Sequence, residues 1–335
     1  MKLTHLAALV LSLSPAVLMA QENNNSIVGT NGHNIMLIPK EDLAKTKQYW
    51  TEDRINKATP KEEFDSADSK AAKTAKTDKK TAPLKRPKVL AKAIPPKNAG
   101  IKPTKAGVPT EADVNVTPFS QAGKLYFTEG DGTSHSCTAQ FVGELNILIT
   151  AAHCVRDNET GKYYTNFKFH QGYRQGDETD KIYGIAATTQ ESWVVGAGKD
   201  SNRGVDYGFI ITETESQTGA LGLAINLPYD EWSSIGYPSN YADGKILQQV
   251  KGSYAGMKGD DVVLMADNPY GSGASGGAWI AELTPGSWDG NYMIGNNASH
   301  AHNDPTTDHG PYYDEAFEAL YEDVAAEAVK LNVKK

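Results

Sequence analysis

Three short segments carry residue types that could do chemistry together. In Leu148-Ile-Thr-Ala-Ala-His-Cys-Val155 an apolar run ends in two alanines, His153 and Cys154. Small residues there let the backbone pack tightly behind the imidazole, as a proton-transferring ring requires. In Gly204-Val-Asp-Tyr-Gly-Phe-Ile-Ile211, Asp206 stands just before an apolar run. A carboxylate so placed can accept the Nδ1–H of a histidine, fix its tautomer and stabilise the imidazolium. In Gly271-Ser-Gly-Ala-Ser-Gly-Gly-Ala-Trp279, Ser275 lies within Gly273-Ala-Ser-Gly-Gly277. Glycines permit the tight turn that a nucleophilic serine needs. The N–H groups of Gly273 and Ser275 can then point at a developing oxyanion, each such donor being worth about 2.7–4 kcal/mol of barrier. Taken singly, each segment has a plainer reading: a satisfied histidine, a surface aspartate opening a strand, a structural glycine loop. A phosphate loop is not matched, because no Lys-Ser/Thr follows the glycines.

The glycine pentapeptide also satisfies G-x-S-x-G, the nucleophile elbow of α/β-hydrolases. That fold runs Ser, Asp, His, whereas this chain runs His153, Asp206, Ser275. Only 60 residues follow Ser275, too few for the rest of a doubly wound sheet.

The elements that must position these groups read as β structure. From about residue 116, short apolar runs alternate with Gly, Asn, Asp and Pro clusters: Lys124-Leu-Tyr-Phe127, Ala139-Gln-Phe-Val142, Ile147-Leu-Ile-Thr150, Phe209-Ile-Ile211, Val262-Val-Leu264 and Ala278-Trp-Ile280. That texture predicts a sandwich or barrel. At the end, Phe317, Leu320, Tyr321, Val324, Ala328 and Leu331 form the stripe of an amphipathic helix. Acidic residues lead it and lysines close it, as the helix dipole favours.

Upstream the texture differs. Lys2 and His5 precede an apolar run from Leu6 to Met19 and a small residue, Ala20, which reads as a signal peptide over 1–20 and implies export, extracellular or periplasmic. Residues 21–65 read as a pro-region. Residues 66–115 are dominated by Lys, Ala, Thr and Pro, and predict a flexible basic linker, removed on maturation. The basic pairs Lys79-Lys80 and Lys85-Arg86 within it invite nicking. The catalytic domain is then 116–335. Residues 1–110 hold 19 Lys and Arg against 10 Asp and Glu, a net +9, and the remainder 14 against 31, a net −17. The basic segment is therefore expected to be an intramolecular partner of the acidic domain. The acidic surface argues against nucleic acid as a partner. No later run is apolar enough to span a bilayer, and nothing marks a dimer seam, so a monomer is expected. The only two cysteines, Cys137 and Cys154, suggest one disulfide in an exported chain. It would close a loop of about 17 residues, worth roughly 3 kcal/mol in the chain-entropy model.

In their order, Thr150-Ala-Ala-His-Cys154, Asp206-Tyr-Gly208 and Gly273-Ala-Ser-Gly-Gly277 resemble the trypsin/chymotrypsin-like serine proteases. So does the cysteine beside the histidine, paired upstream. Ala122-Gly-Lys-Leu-Tyr-Phe127 and Gly236-Tyr-Pro238 are similar to the bacterial glutamyl-endopeptidase branch. Tyr49-Trp-Thr-Glu-Asp-Arg54 with Ala58-Thr-Pro60 resembles pro-regions of secreted members. The resemblance implies an all-β fold of two perpendicular six-stranded barrels, with the site in the cleft between them. It implies a serine endopeptidase acting on protein or peptide substrates. His153 would be base then acid, Asp206 its orienter, Ser275 the nucleophile, and Gly273 with Ser275 the oxyanion hole. No metal or organic cofactor is implied. The rivals are an inactive binding module on the same fold and an esterase using the same triad.

Two departures bear on activation. Ala274 stands where trypsin has an aspartate that pairs with the freed N-terminal ammonium, and Ile27-Val28-Gly29 lies far upstream of His153. Activation is therefore expected to proceed by removal of the pro-segment without that charge pair. Substrate specificity is read from Pro269, which occupies the place of a trypsin-type pocket aspartate, and from Ser299 and His300, where the glutamyl branch has a pocket histidine. His300, His302, Asp304 and His309 could also hold zinc, though a polar loop is the commoner meaning of such a cluster.

Overall fold

The computed structural model describes residues 25–61, 88–93, 107–176, 180–226, 231–301 and 304–333. The expected signal peptide and most of the expected linker lie outside them. Among the described residues no helix is long and apolar enough to cross a membrane.

The N-terminal segment forms strands β1 (Ser26–Val28) and β2 (Asn34–Leu37), helices α1 (Lys40–Tyr49) and α2 (Glu52–Lys57), and a short strand β3 (Thr59–Pro60). Two further short strands, β4 (Lys88–Ala91) and β5 (Thr110–Glu111), fall inside the stretch that the composition predicts to be linker. Each has only two to four residues, but partners supply its pairing, as described below, and Ala112 is fully buried beside β5.

The first barrel follows in chain order as β6 (Ala122–Thr128), β7 (Ser134–Phe141), β8 (Ile147–Thr150), β9 (Thr165–Gln171), β10 (Asp180–Thr189) and β11 (Gly208–Thr212). Pairings β6–β7, β7–β8, β8–β11, β11–β10, β10–β9 and β9–β6 close the ring. Leu125, Phe127, Phe141, Leu148, Phe167, Phe169 and Ile210 fill its interior. Two pairings come from the N-terminal segment: β2 extends the edge of β10, with Met36 opposite Ala187, and β3 lies parallel to β7.

The second sheet contains β12 (Gly222–Ile225), β13 (Glu231–Gly236), β14 (Gln248–Lys258), β15 (Val262–Ala266), β16 (Ala278–Ala281), β17 (Tyr292–Asn296), β18 (Ser299–Ala301) and β19 (Asp304–Pro311). Its path runs β18–β19–β15–β14–β13–β16–β17–β12–β4, with β5 on β14. The chain passes from β17 through Asn297 and Ala298 directly into β18, which pairs with β19. The path from β17 through β16, β13, β14, β15 and β19 to β18 thus returns to its start by chain continuity. A shared apolar core joins the two sheets, with Ile149, Phe209, Ile235, Ile280 and Met293 among its members. Helix α3 (Glu315–Val333) packs on that core through Phe317, Leu320, Val324 and Ala328, all fully buried, with Tyr321 beside them. The expected stripe is the buried face, and only Leu331 is left at its margin.

Cys137 and Cys154 form the expected disulfide, with Cα atoms 6.4 Å apart. Both are fully buried. Replacing the pair by serines should lower unfolding stability by about 3 kcal/mol, read as a lower urea midpoint.

Candidate active site

His153 sits in a single 3₁₀ turn, Ala152–Cys154, at the end of β8. Ala151 and Ala152 are fully buried behind it, and the disulfide ties the turn to β7. Asp206 follows another 3₁₀ turn, Arg203–Val205, immediately before β11. Its carboxylate grips His153 twice: Oδ1 accepts the backbone N–H at 3.0 Å, and Oδ2 lies 2.9 Å from ring Nδ1. With Asp206 wholly buried and His153 2% exposed, water cannot compete for this pair. Burial alone would push the Asp206 carboxyl up. The His153 charge and hydrogen bonds, with Arg203 Nη1 3.8 Å away, outweigh it and hold the group below the ordinary carboxylate value. The Nδ1–H therefore points at Asp206, and Nε2 is the ring nitrogen turned away from it. That atom is buried and has no hydrogen-bond partner among the described residues.

Ser275 lies in the glycine loop between β15 and β16. Gly273 and Gly276 have φ of +92° and +82°, values that other residues adopt only with strain. A Cβ on Gly276 would also come within 2.1 Å of Thr150 Oγ1 and 2.6 Å of Ala151 N. The loop therefore presses directly on the strand end that carries the His153 turn, and Ser275 is left 8% exposed. Main-chain carbonyls hold its shape. Ser275 O accepts from Thr138 N at 2.9 Å, Gly273 O from Thr138 Oγ1 at 2.8 Å, and Gly276 O from Gln140 Nε2 at 2.9 Å. Asn297 completes the frame, its carbonyl accepting Gly276 N–H at 2.8 Å and its Nδ2 donating to Ala274 O at 3.3 Å. Asn296 Nδ2 reaches the carbonyl of Asp206 at 3.1 Å.

Thr138, Gln140, Asn296, Asn297 and Arg203 were not singled out from the sequence. The two strand residues on β7 leave no sequence signal. Asn296-Asn297 does: a pair of amides interrupting an apolar strand is costly unless both are satisfied, and so marks a structural junction.

The backbone N–H of Gly273 donates to the carbonyl of Lys61, 3.3 Å away. The expected oxyanion donor thus faces a residue of the N-terminal segment.

The expected specificity residues fall beside one another but not as free receptors. His300 Nε2 donates to Asn268 O at 3.1 Å, and Nδ1 lies 3.7 Å from Asp308 Oδ1. Burial holds the His300 ring below its ordinary value and pushes the Asp308 carboxyl, 1% exposed, well above its own. Ser299 is buried, while the Pro269 carbonyl accepts from Asn240 Nδ2 at 2.9 Å. His302 lies outside the described residues. His300, Asp304 and His309 do not bring three ligand atoms together. Among the described residues, the one grouping within 4.8 Å is Cys137, His153 and Cys154, whose sulfurs are committed to the disulfide.

This fold is shared with solved proteases. A protease from Arthrobacter nicotinovorans, Anisep, superimposes with a TM-score of 0.56 at 23% identity, covering 66% of this chain and all of its own. A thermostable serine protease, AL20, from an extremophilic microorganism gives 0.52 at 23%, covering 61% of this chain and 97% of its own. The structure of a Glu endopeptidase gives 0.50 at 19%, covering 64% and 95%. The fold is that of the trypsin/chymotrypsin-like serine proteases. No protein-family model and no curated protein sequence matches the chain. The fold brings the β8 turn, the start of β11 and the glycine loop side by side.

Proposed function

We propose that the chain is an exported serine endopeptidase that cleaves peptide bonds through an acyl-enzyme on Ser275. The observation that carries this is the His153–Asp206 pair, buried and doubly hydrogen-bonded, with the Ser275 loop packed against its turn. In this reading His153 Nε2 takes the Ser275 hydroxyl proton as Oγ attacks the carbonyl carbon. The N–H groups of Gly273 and Ser275 receive the oxyanion. His153 returns the proton to the leaving amine, and water then repeats the sequence in reverse to free the acid. Asp206 keeps the imidazolium oriented and charge-balanced throughout. A buried disulfide supports passage through an oxidising compartment, and the acidic catalytic part supports neither nucleic acid nor an anionic membrane as partner. A preference for acidic residues, suggested by the Glu endopeptidase neighbour, is not supported by His300. Its ring is already engaged and is held toward the neutral form.

The test joins labelling to mapping. The processed protein is treated with a small fluorophosphonate, and the adduct is located by mass spectrometry. Separately, the termini released from a denatured protein mixture are sequenced. An adduct on Ser275 with new termini is expected, and the residue before each cut gives the specificity. Ester turnover without new termini would make it an esterase. Neither labelling nor turnover, with the disulfide formed and the N-terminal segment removed, would leave a binding module.

A further inference from the structure

The contact between Lys61 and Gly273 belongs to a seated segment. Thr59 and Pro60 run parallel to His135 and Ser136 of β7. Lys61 N–H donates to the Ser136 carbonyl at 2.9 Å, and the Lys61 carbonyl accepts the Gly273 N–H. Pro60 covers the glycine closely enough that a Cβ on Gly273 would lie 3.3 Å from Pro60 Cβ. Thr59 Oγ1 lies 3.1 Å from His135 Nδ1, and Lys61 Nζ is ion-paired with Glu129. These three residues form one side of a cleft of about 500 Å³, faced by His135, Ser239 and Ser272.

The segment reaches this place on strong anchors. Ile35 is 1% exposed in the shared core. The Trp50 indole packs on Tyr126 and Tyr183, and its N–H donates to Asn166 O. Asn31 N–H donates to Asp323 on α3, and His33 Nδ1 pairs with the same carboxylate at 2.8 Å.

We infer that residues 59–61 are a built-in competitor of the substrate, seated along β7 with the Lys61 carbonyl on the oxyanion donor, and that displacing them switches the enzyme on. The inference rests on the serine protease reading, in which Gly273 N–H must be free to meet the substrate's oxygen. An oxyanion is met at about 2.7–3.1 Å. The 3.3 Å contact is that of a resting carbonyl held against the donor. A substrate carbonyl cannot take the same N–H while Lys61 holds it.

The full chain carrying Lys61→Pro tests this, since proline removes the N–H that binds Ser136. Loss of that hydrogen bond, together with the Lys61–Glu129 ion pair, should raise kcat/KM for a peptide substrate about tenfold and speed hydrogen exchange at the Gly273 amide. The fluorophosphonate is applied to both proteins in parallel. If it labels Ser275 in each, while peptide hydrolysis and Gly273 exchange are the same in both, the inference is overturned and the protease reading stands. If Ser275 is labelled in neither, even after the segment is removed, the protease reading itself fails. Should Lys61→Pro not fold, the wild-type chain nicked at Lys79-Lys80 answers the same question. Its activity per molecule should climb on dilution as residues 25–61 dissociate, and activity independent of dilution would overturn the inference.

Discussion

Ser275→Ala should leave about one part in 10⁶ of the processed enzyme's peptide hydrolysis, the scale seen when a triad serine is removed. The loop does not depend on the hydroxyl for its shape. Thr138, Gln140 and Asn297 hold it through the carbonyls of Gly273, Ala274, Ser275 and Gly276. Alanine fits the same backbone, and the variant should melt within about a degree of the parent. Turnover and melting measured on one preparation separate chemistry from folding. Residual hydrolysis of one part in a hundred would mean that the nucleophile lies elsewhere.

Asp206→Asn should cost about 10⁴-fold in kcat at neutral pH while preserving shape. The amide oxygen can still accept the His153 backbone N–H, as Oδ1 does now at 3.0 Å. The amide nitrogen then faces ring Nδ1 and offers it a proton. The ring is held in the opposite tautomer, with its proton on Nε2, and cannot accept one from Ser275. The acid limb should change as well. The folded Asp206 carboxyl lies below its ordinary value, so its contribution is complete above the unfolded value of about 3.9. That contribution is lost as pH falls through the lower, folded value. Wild-type stability should therefore fall at the acid end by an amount that the asparagine variant lacks, read from urea midpoints across that range.

The three candidate segments stand out in the sequence because each breaks the local rules for a strand or loop in its own way: a histidine after paired alanines, an aspartate at a strand opening, a serine among glycines. The apolar runs marked the barrel strands, and the Phe317–Ala328 stripe marked the helix. Strand β6 shows what even a marked run conceals. Leu125 and Phe127 face the barrel interior, while Tyr126 is buried on the outer side against Trp50. Its alternation is erased by a segment from elsewhere in the chain. Strands β3, β4 and β5 have no pattern of their own, because a strand of two to four residues takes its pairing from the edge it joins. The expectation of a linker over 66–115 follows composition, which records how much apolar surface a stretch has but not that a neighbouring edge will receive it. The hydrogen-bonding of Asn296 and Asn297 likewise depends on residues that only the fold brings near.

Strand β2 covers backbone of β10 at Ala186 and Ala187, and Ile35 fills core volume beneath it. A processed enzyme that sheds residues 25–61 thereby gains an open sheet edge beside a newly bared apolar hollow. Such an edge recruits strands from other molecules, including further copies of the same chain. Maturation would then trade inhibition for a tendency to self-associate, and the shelf life of the active form would depend on its concentration.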